Sequence, residues 1–483
     1  MPRFKPIPSL YKLCVRVVYN VIYDICSSLE LYKVRNKGPR LKELHTYLVE
    51  HYPQNILDDL LDLHSSNGHS NSQSLKSYYF YRAVTHHNAR AFKARNYKLE
   101  LSYWRVLFKT VFNNLISLNL ALSCNDQILE LIPKYCPQLE HLNATCKYER
   151  VEIGNNACTF ALSVTDYGLG FLCQCKKLKT LTVNEPRSNT RGIQNGITYA
   201  GLRRLLIHVE TLEDISYSDL GSVVAKDLDA LESLRLKIIR HFNATEESIK
   251  EILRLCKNLS ELYLTFFNSD SQCNIWSEII KARPKLRALE VINLNCCTYF
   301  AEIFQSFGET LCFLSISSNY QTISFENLVT IARNCPNLQF LNCAHLTNRN
   351  EVVHRPRNFG QFSNLESLHL CGMSIDVANV VPFCTENAVN LEHLRIIEQG
   401  PVTTYMDNIF VESLKPEKIR HIEVSIKLPF TTFGIRKILA KFPLLNYLNV
   451  SCTDDCTMLM QELRDMNYDL VFINKVFIPF QQV

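Results

Sequence analysis

Cysteine and histidine are the residues here with the widest chemical reach, and their spacing decides what they can do. The 483 residues include 19 cysteines and 14 histidines. The closest thiol pairs are Cys173-x-Cys175, Cys296-Cys297 and Cys452-x3-Cys456. A structural zinc site needs four ligands, normally as two spaced pairs. Each of these pairs lacks a matching second pair, so no metal is expected. His86-His87 has no carboxylate at ligand spacing and reads as structural or surface. There is no G-x-S-x-G phrase, no G-x4-G-K-[ST] loop and no H-E-x-x-H helix, and glycine numbers only 14. The expectation is a chain with no catalytic residues and no cofactor.

Other cysteines hold one fixed place. Cys136, Cys175, Cys256 and Cys335 each stand three residues before a leucine that opens a recurring phrase. Arg283 and Phe442 take that place elsewhere. This is the spelling of a helix end, with the thiol as a small apolar residue. The phrase is LxxLxL: Leu115-x-x-Leu118-x-Leu120, Leu259-x-x-Leu262-x-Leu264, Leu365-x-x-Leu368-x-Leu370. Looser copies begin at Leu139, Leu178, Leu212, Leu231, Leu286, Leu311, Leu338, Leu391, Ile419 and Leu445. The last seven starts are separated by 25, 27, 27, 26, 28 and 26 residues. A steady period in the twenties predicts an α/β leucine-rich-repeat solenoid, with parallel strands on a concave face and helices behind. Helical stripes such as Leu328, Ile331, Ala332 and Cys335 fill the returns. The longer steps, 39 and 34 residues, predict surface loops within Val151–Thr165 and Glu185–Thr198. The 19-residue step from Leu212 to Leu231 is too short for a unit, so one of those two starts is in question.

Composition narrows the setting. Net charge is +5 with 20% charged residues, too balanced for charge-driven nucleic-acid binding. The Tyr78–Tyr81 run with Arg90, Lys93, Arg95 and Lys98 interleaves aromatics and cations, but reads first as the amphipathic approach to a solenoid. No signal-peptide pattern or membrane-length apolar run is present, so reduced cysteines and a cytoplasmic or nuclear setting are expected, without membrane or nucleic-acid partners.

Ahead of the repeats stands a clean helical stripe: Leu10, Leu13, Cys14, Val17, Val18, Val21, Ile22, Ile25, Cys26 and Leu29, with Ser9 as N-cap. A polar link, Lys33 to Arg40, leads to a second helical piece from Leu41 to about His51. Tyr52-Pro53-Gln54-Asn55-Ile56-Leu57 then opens a third, whose apolar side includes Leu60 and Leu61. Residues 64–75 form a polar loop.

Ser9-Leu10-x3-Cys14-x3-Val18 resembles the BC box, the elongin C-binding helix of cullin-ligase substrate receptors. That resemblance implies a contact through Ser9, Leu10 and Cys14, with Leu13, Val17 and Val18 beside them. The Tyr52-Pro53 phrase resembles the cullin-2 box of the von Hippel–Lindau-box class, which implies cullin contacts through Tyr52, Pro53, Ile56, Leu57 and Leu60. Together with leucine-rich repeats, the combination is similar to the Zyg-11 family. It implies a non-enzymatic receptor joining elongin B–elongin C and cullin-2 with its RING subunit to a protein substrate. The departure is that the Zyg-11 family carries an armadillo-like region after its repeats, whereas here the repeats run almost to Val483. An F-box begins similarly with Leu-Pro, so a receptor on a Skp-type adaptor remains open, as does a scaffold or inhibitor with no ligase link. The bland reading of the first helix is a cap on the solenoid's end.

The expected organisation is an adaptor-binding helical region over 1–63, a loop and helical approach over 64–110, and the solenoid over 111–483. Alternation along each strand puts the third, fifth and seventh phrase positions on the concave face. The candidate substrate residues there are Tyr263, Phe313, Phe340, His369, His393, Arg395, His421 and Tyr447, whose aromatic, His and Arg character suits a protein interface.

Overall fold

A computed structural model describes residues 9–31, 37–66, 75–94, 99–146, 148–153, 157–184, 196–226, 228, 231–267, 272–295, 299–318, 323–347, 362–374, 377–398, 414, 417–425, 430–450, 457–465 and 471–474. The class is α/β, with parallel sheets and intervening helices. The chain divides into two compact units. One runs from the first helix to Arg240 and includes Arg254–Lys257; the other holds His241–Leu253 and the chain from Asn258 onward.

The first unit opens with four helices: α1 (Leu10–Leu31), α2 (Lys37–His51), α3 (Gln54–Ser66) and α4 (Leu75–Val84). The second helix starts earlier than its apolar pattern suggests, because Gly38-Pro39 sits in the first turn, where proline's missing N–H costs nothing. α1 packs on α3 and α4, and α2 on α4. Their shared core is aromatic. Tyr78, Tyr79, Phe80 and Tyr81 are all buried, so these rings are core and offer nothing for stacking on bases. His64 is fully buried among them, stacked on Phe80 at 4.3 Å, edge-on to Tyr81 at 4.9 Å, with Nδ1 3.0 Å from the Tyr19 hydroxyl.

A parallel sheet follows: β1 (Ala91–Lys93), β2 (Ser117–Asn119), β3 (His141–Asn143), β6 (Thr180–Thr182) and β7 (Asp214–Ser216). Strand β1 stands ahead of the first leucine phrase. Its Phe92 lies opposite Leu118, and buried Ala89 and Ala94 occupy the places of Leu115 and Leu120. The unit is spelled with alanine and phenylalanine, which hid it from a search for leucine. Between β3 and β6, β4 (Tyr148–Ile153) and β5 (Ala157–Leu162) form an antiparallel hairpin where a loop was expected.

The second sheet orders its strands in sequence: β8 (Ile238–Phe242), β9 (Glu261–Thr265), β10 (Ala288–Ile292), β11 (Phe313–Ser317), β12 (Phe340–Thr347), β13 (Ser367–Ser374), β14 (His393–Glu398), β15 (His421–Ser425), β16 (Tyr447–Val450) and β17 (Val471–Asn474). From β9 to β17 each strand lies parallel to the next. Nearly every strand starts two residues after a phrase leucine. Leu231 is the exception: β8 starts two residues after the fully buried Leu236, so the misplaced start was Leu231, and Leu212, Leu236 and Leu259 are evenly spaced.

Cys136, Cys335 and Phe442 end their helices as the spacing suggested, whereas the helix Asp166–Leu172 stops at Cys173, two residues short of Cys175. The Cys136 and Cys335 amides donate to Ile132 and Ile331 carbonyls, and Phe442 does the same to Ile438. Burial pushes the Cys175 and Cys335 thiols up to about 12. Cys296, Cys297, Cys452, Cys456, Arg95, Lys98 and the 185–195 part of the expected second loop lie outside the described residues. No helix among the described residues is long and apolar enough to cross a membrane.

Candidate functional site: a two-faced helix and a row of rings

Helix α1 has two apolar seams. Val15, Tyr19, Ile22, Cys26 and Leu29 are buried against α3 and α4. Leu10, Leu13, Val17, Val21 and Ile25 face outward, Leu10 at 77% and Val17 at 62% exposure, and Cys14 is exposed beside them. At about 100° per residue the seams are centred roughly two-fifths of a turn apart, and Val18 lies half-buried between them. The single stripe read from sequence therefore splits. Ile22, Cys26 and Leu29 belong to the core, and Val15 and Tyr19, absent from that stripe, join them. Spacing alone does not say which seam a neighbour covers.

Ser9 caps the helix: its hydroxyl accepts from the Lys12 amide at 3.3 Å. Two residues along, the Tyr11 hydroxyl donates to Asp59 on α3, and that carboxylate lifts the phenol's pKa. The second set of adaptor residues divides differently. Pro53 is exposed and Tyr52 and Ile56 are half-buried, whereas Leu57 and Leu60 are fully interior. Packing α3 onto its neighbours consumes that apolar side, which leaves Leu57 and Leu60 no surface to present. His86 is also interior, its Nε2 3.2 Å from Asp58, and His87 is exposed.

The second surface lies on one face of the long sheet. Register sets Phe313, Phe340, Ser367, His393, His421 and Tyr447 opposite one another across β11 to β16. Phe313 and Phe340 stack at 4.4 Å and 5°, and His421 lies flat on Tyr447 at 4.0 Å and 2°. His393 stands 5.6 Å from His421. The row beside it runs Ser315, Asn342, His369, Arg395, Glu423, Asn449. His369 meets Phe340 edge-on at 5.0 Å, and Arg395 pairs with Glu423 at 3.0 Å. Burial first, then neighbouring cations, holds the His369 and His421 imidazoles below their ordinary pKa; Arg395 leads the second effect at His369 and His393 leads it at His421. Tyr263 lies two strands before Phe313, and its hydroxyl donates to Glu261 at 2.8 Å. Among the described residues, no group of His, Cys, Asp and Glu is placed to hold a metal ion.

Compared with known proteins, the chain matches no family model and no curated sequence.

Proposed function

We propose that this chain is a leucine-rich-repeat solenoid acting as the non-catalytic substrate receptor of a cullin-2 ubiquitin ligase in the cytoplasm or nucleus. In this reading the outward seam of α1 docks elongin B–elongin C, and the sheet face of rings holds the protein substrate. Ubiquitin transfer then follows from proximity, supplied by the ligase's other subunits. The recurring strand–helix units, each set in register on the last, support the solenoid part. The observation that carries the docking part is that Leu10 and Cys14, the two positions most specific to a BC box, lie on an exposed seam of a helix whose other seam is core. Cullin contact, in the same reading, falls to Tyr52, Pro53 and Ile56.

Co-precipitation of the full chain with elongin B–elongin C and cullin-2 tests this. Burying a leucine at an interface is worth about 1.5–3 kcal/mol, and losing a central anchor costs about 2 kcal/mol or more. Leu10→Ala with Cys14→Phe should abolish elongin recovery, the first by lost burial and the second by a clash. Pro53→Ala with Ile56→Ala should weaken cullin-2 recovery and spare elongin. Undiminished elongin recovery by the first double variant sinks the adaptor reading. Recovery of a Skp-type adaptor by the wild type would move the chain to the F-box class, and recovery of neither leaves α1 a structural cap.

A further inference from the structure

The ring row and the row beside it divide the sheet face chemically. At the β11–β12 end the ring row is apolar, two stacked phenylalanine rings, beside Ser315 and Asn342. Over β13 to β15 the face holds three imidazoles and the Arg395 guanidinium against one carboxylate, Glu423. Four groups able to carry positive charge against one negative make that end complementary to an anion.

We propose that this face binds an extended acidic peptide, with an apolar side chain against Phe313 and Phe340 and a carboxylate held by Arg395, His393 and His421, more tightly as pH falls. This rests on the reading of the face as the substrate surface. Neighbouring strands lie about 4.8 Å apart, so Phe340 on β12 and His421 on β15 are roughly 14 Å apart along the row. An extended peptide at about 3.3 Å per residue spans that in four to five residues.

Proton linkage fixes the direction. The described titratable groups facing this end are His369 and Cys371 from β13, His393 and Arg395 from β14, His421 and Glu423 from β15, and Tyr447 from β16; Asn342 and Asn449 are uncharged flanks. Burial first, then the neighbouring positive groups, disfavours imidazolium at His369 and His421 in the free protein. A bound carboxylate reverses that, so binding takes up protons and affinity rises as pH falls, until the peptide's own carboxylates protonate near pH 4.

The test uses the full chain and a fluorescein-labelled nonapeptide with phenylalanine at its second place, glutamate at its sixth and seventh, and serine elsewhere. Anisotropy should show binding about fivefold or more tighter at pH 6.0 than at pH 7.5. Replacing both glutamates with lysine should abolish it. His393→Gln with His421→Gln should shrink the pH dependence to the share carried by His369, and Phe340→Ala should weaken binding at both pH values. Equal binding of the lysine peptide, a pH-independent affinity, or no binding of the glutamate peptide each overturns the proposal. Elongin recovery is read separately through α1, so failure here with that recovery intact leaves the adaptor reading in place, and the reverse result leaves this one in place.

Discussion

The Asp126 carboxylate accepts two hydrogen bonds from Thr165, one from its amide at 2.8 Å and one from its hydroxyl at 2.7 Å. The next helix repeats the contact: Asp166 accepts from the Thr198 amide at 2.8 Å and hydroxyl at 2.6 Å. Thr165 and Thr198 are themselves N-caps, so an acidic residue in the first turn of one helix grips the residue that caps the next. Hydrogen bonds to a charged group are worth about 1.5–3 kcal/mol each, and removing one partner strands the other. Asp126→Ala should therefore lower unfolding stability by about 2 kcal/mol or more, measured by urea titration of the full chain. A loss under about 0.5 kcal/mol would show that water replaces the carboxylate.

Gly168 and Gly201 follow from the same contact. A Cβ at Gly201 would collide with the Asp166 carboxylate, and one at Gly168 with that of Asp126. Gly201→Ala should cost about 1–3 kcal/mol by overpacking. In an Asp166→Ala background the collision partner is gone, so the second substitution should cost much less, a coupling that a double-mutant cycle measures directly. Strict additivity would show that the glycine is needed for another reason.

The two seams of α1 should respond oppositely to truncation. Ile22 is 3% exposed, and Ile22→Ala should cost about 2–5 kcal/mol. Val17→Ala and Val21→Ala, on the outer seam, should stay within about 0.5 kcal/mol. Thermal melts of the three variants check this, and equal losses would mean that the outer seam is covered within the chain itself.

Thiol reactivity should follow the same division. Burial raises Cys26 and Cys343 to about 12. Among the described cysteines, Cys14 and Cys273 are the exposed ones. Native iodoacetamide labelling at pH 8 should modify those two first and leave Cys26 and Cys343 intact until denaturant is added, as peptide mass mapping would read out.

The lowered imidazoles set a pH slope. His369 and His421 bind protons less readily in the folded chain than when unfolded. Above about pH 7 both states hold them neutral and they contribute nothing. As pH falls through about 6.5 the unfolded chain takes up protons first, so stability drops with acidification. His369→Gln should flatten the melting-temperature decline between pH 7 and 5.5, and an unchanged slope would assign the decline to other groups.

The strand positions were legible because buried leucines recur at a fixed offset, two residues before nearly every strand of the two parallel sheets. Where the core accepts Ala89, Phe92 and Ala94 instead, the same geometry leaves no leucine phrase to find. At Leu231 a nearby leucine imitated the phrase, and only the strand after Leu236 settles the count. The ring row was partly legible: alternation predicts which residues share a face, but not that Phe313 lies flat on Phe340. On the helices, Leu57 and Leu60 read as surface because their motif suggested it, and packing made them interior. Amphipathic spacing reports how wide the apolar arc of α1 is, without reporting which part of that arc a neighbour covers.

That division of α1 has a consequence for anyone isolating defective alleles. Lesions at Val15, Tyr19 or Ile22 should produce heat-sensitive protein whose level falls, because they weaken the interior. Lesions at Leu10, Leu13 or Val17 should leave abundance and heat resistance normal while erasing whatever the outer seam contacts. The two phenotypes would alternate along a single short stretch of codons, so protein level alone sorts a scrambled collection of alleles into folding and contact classes.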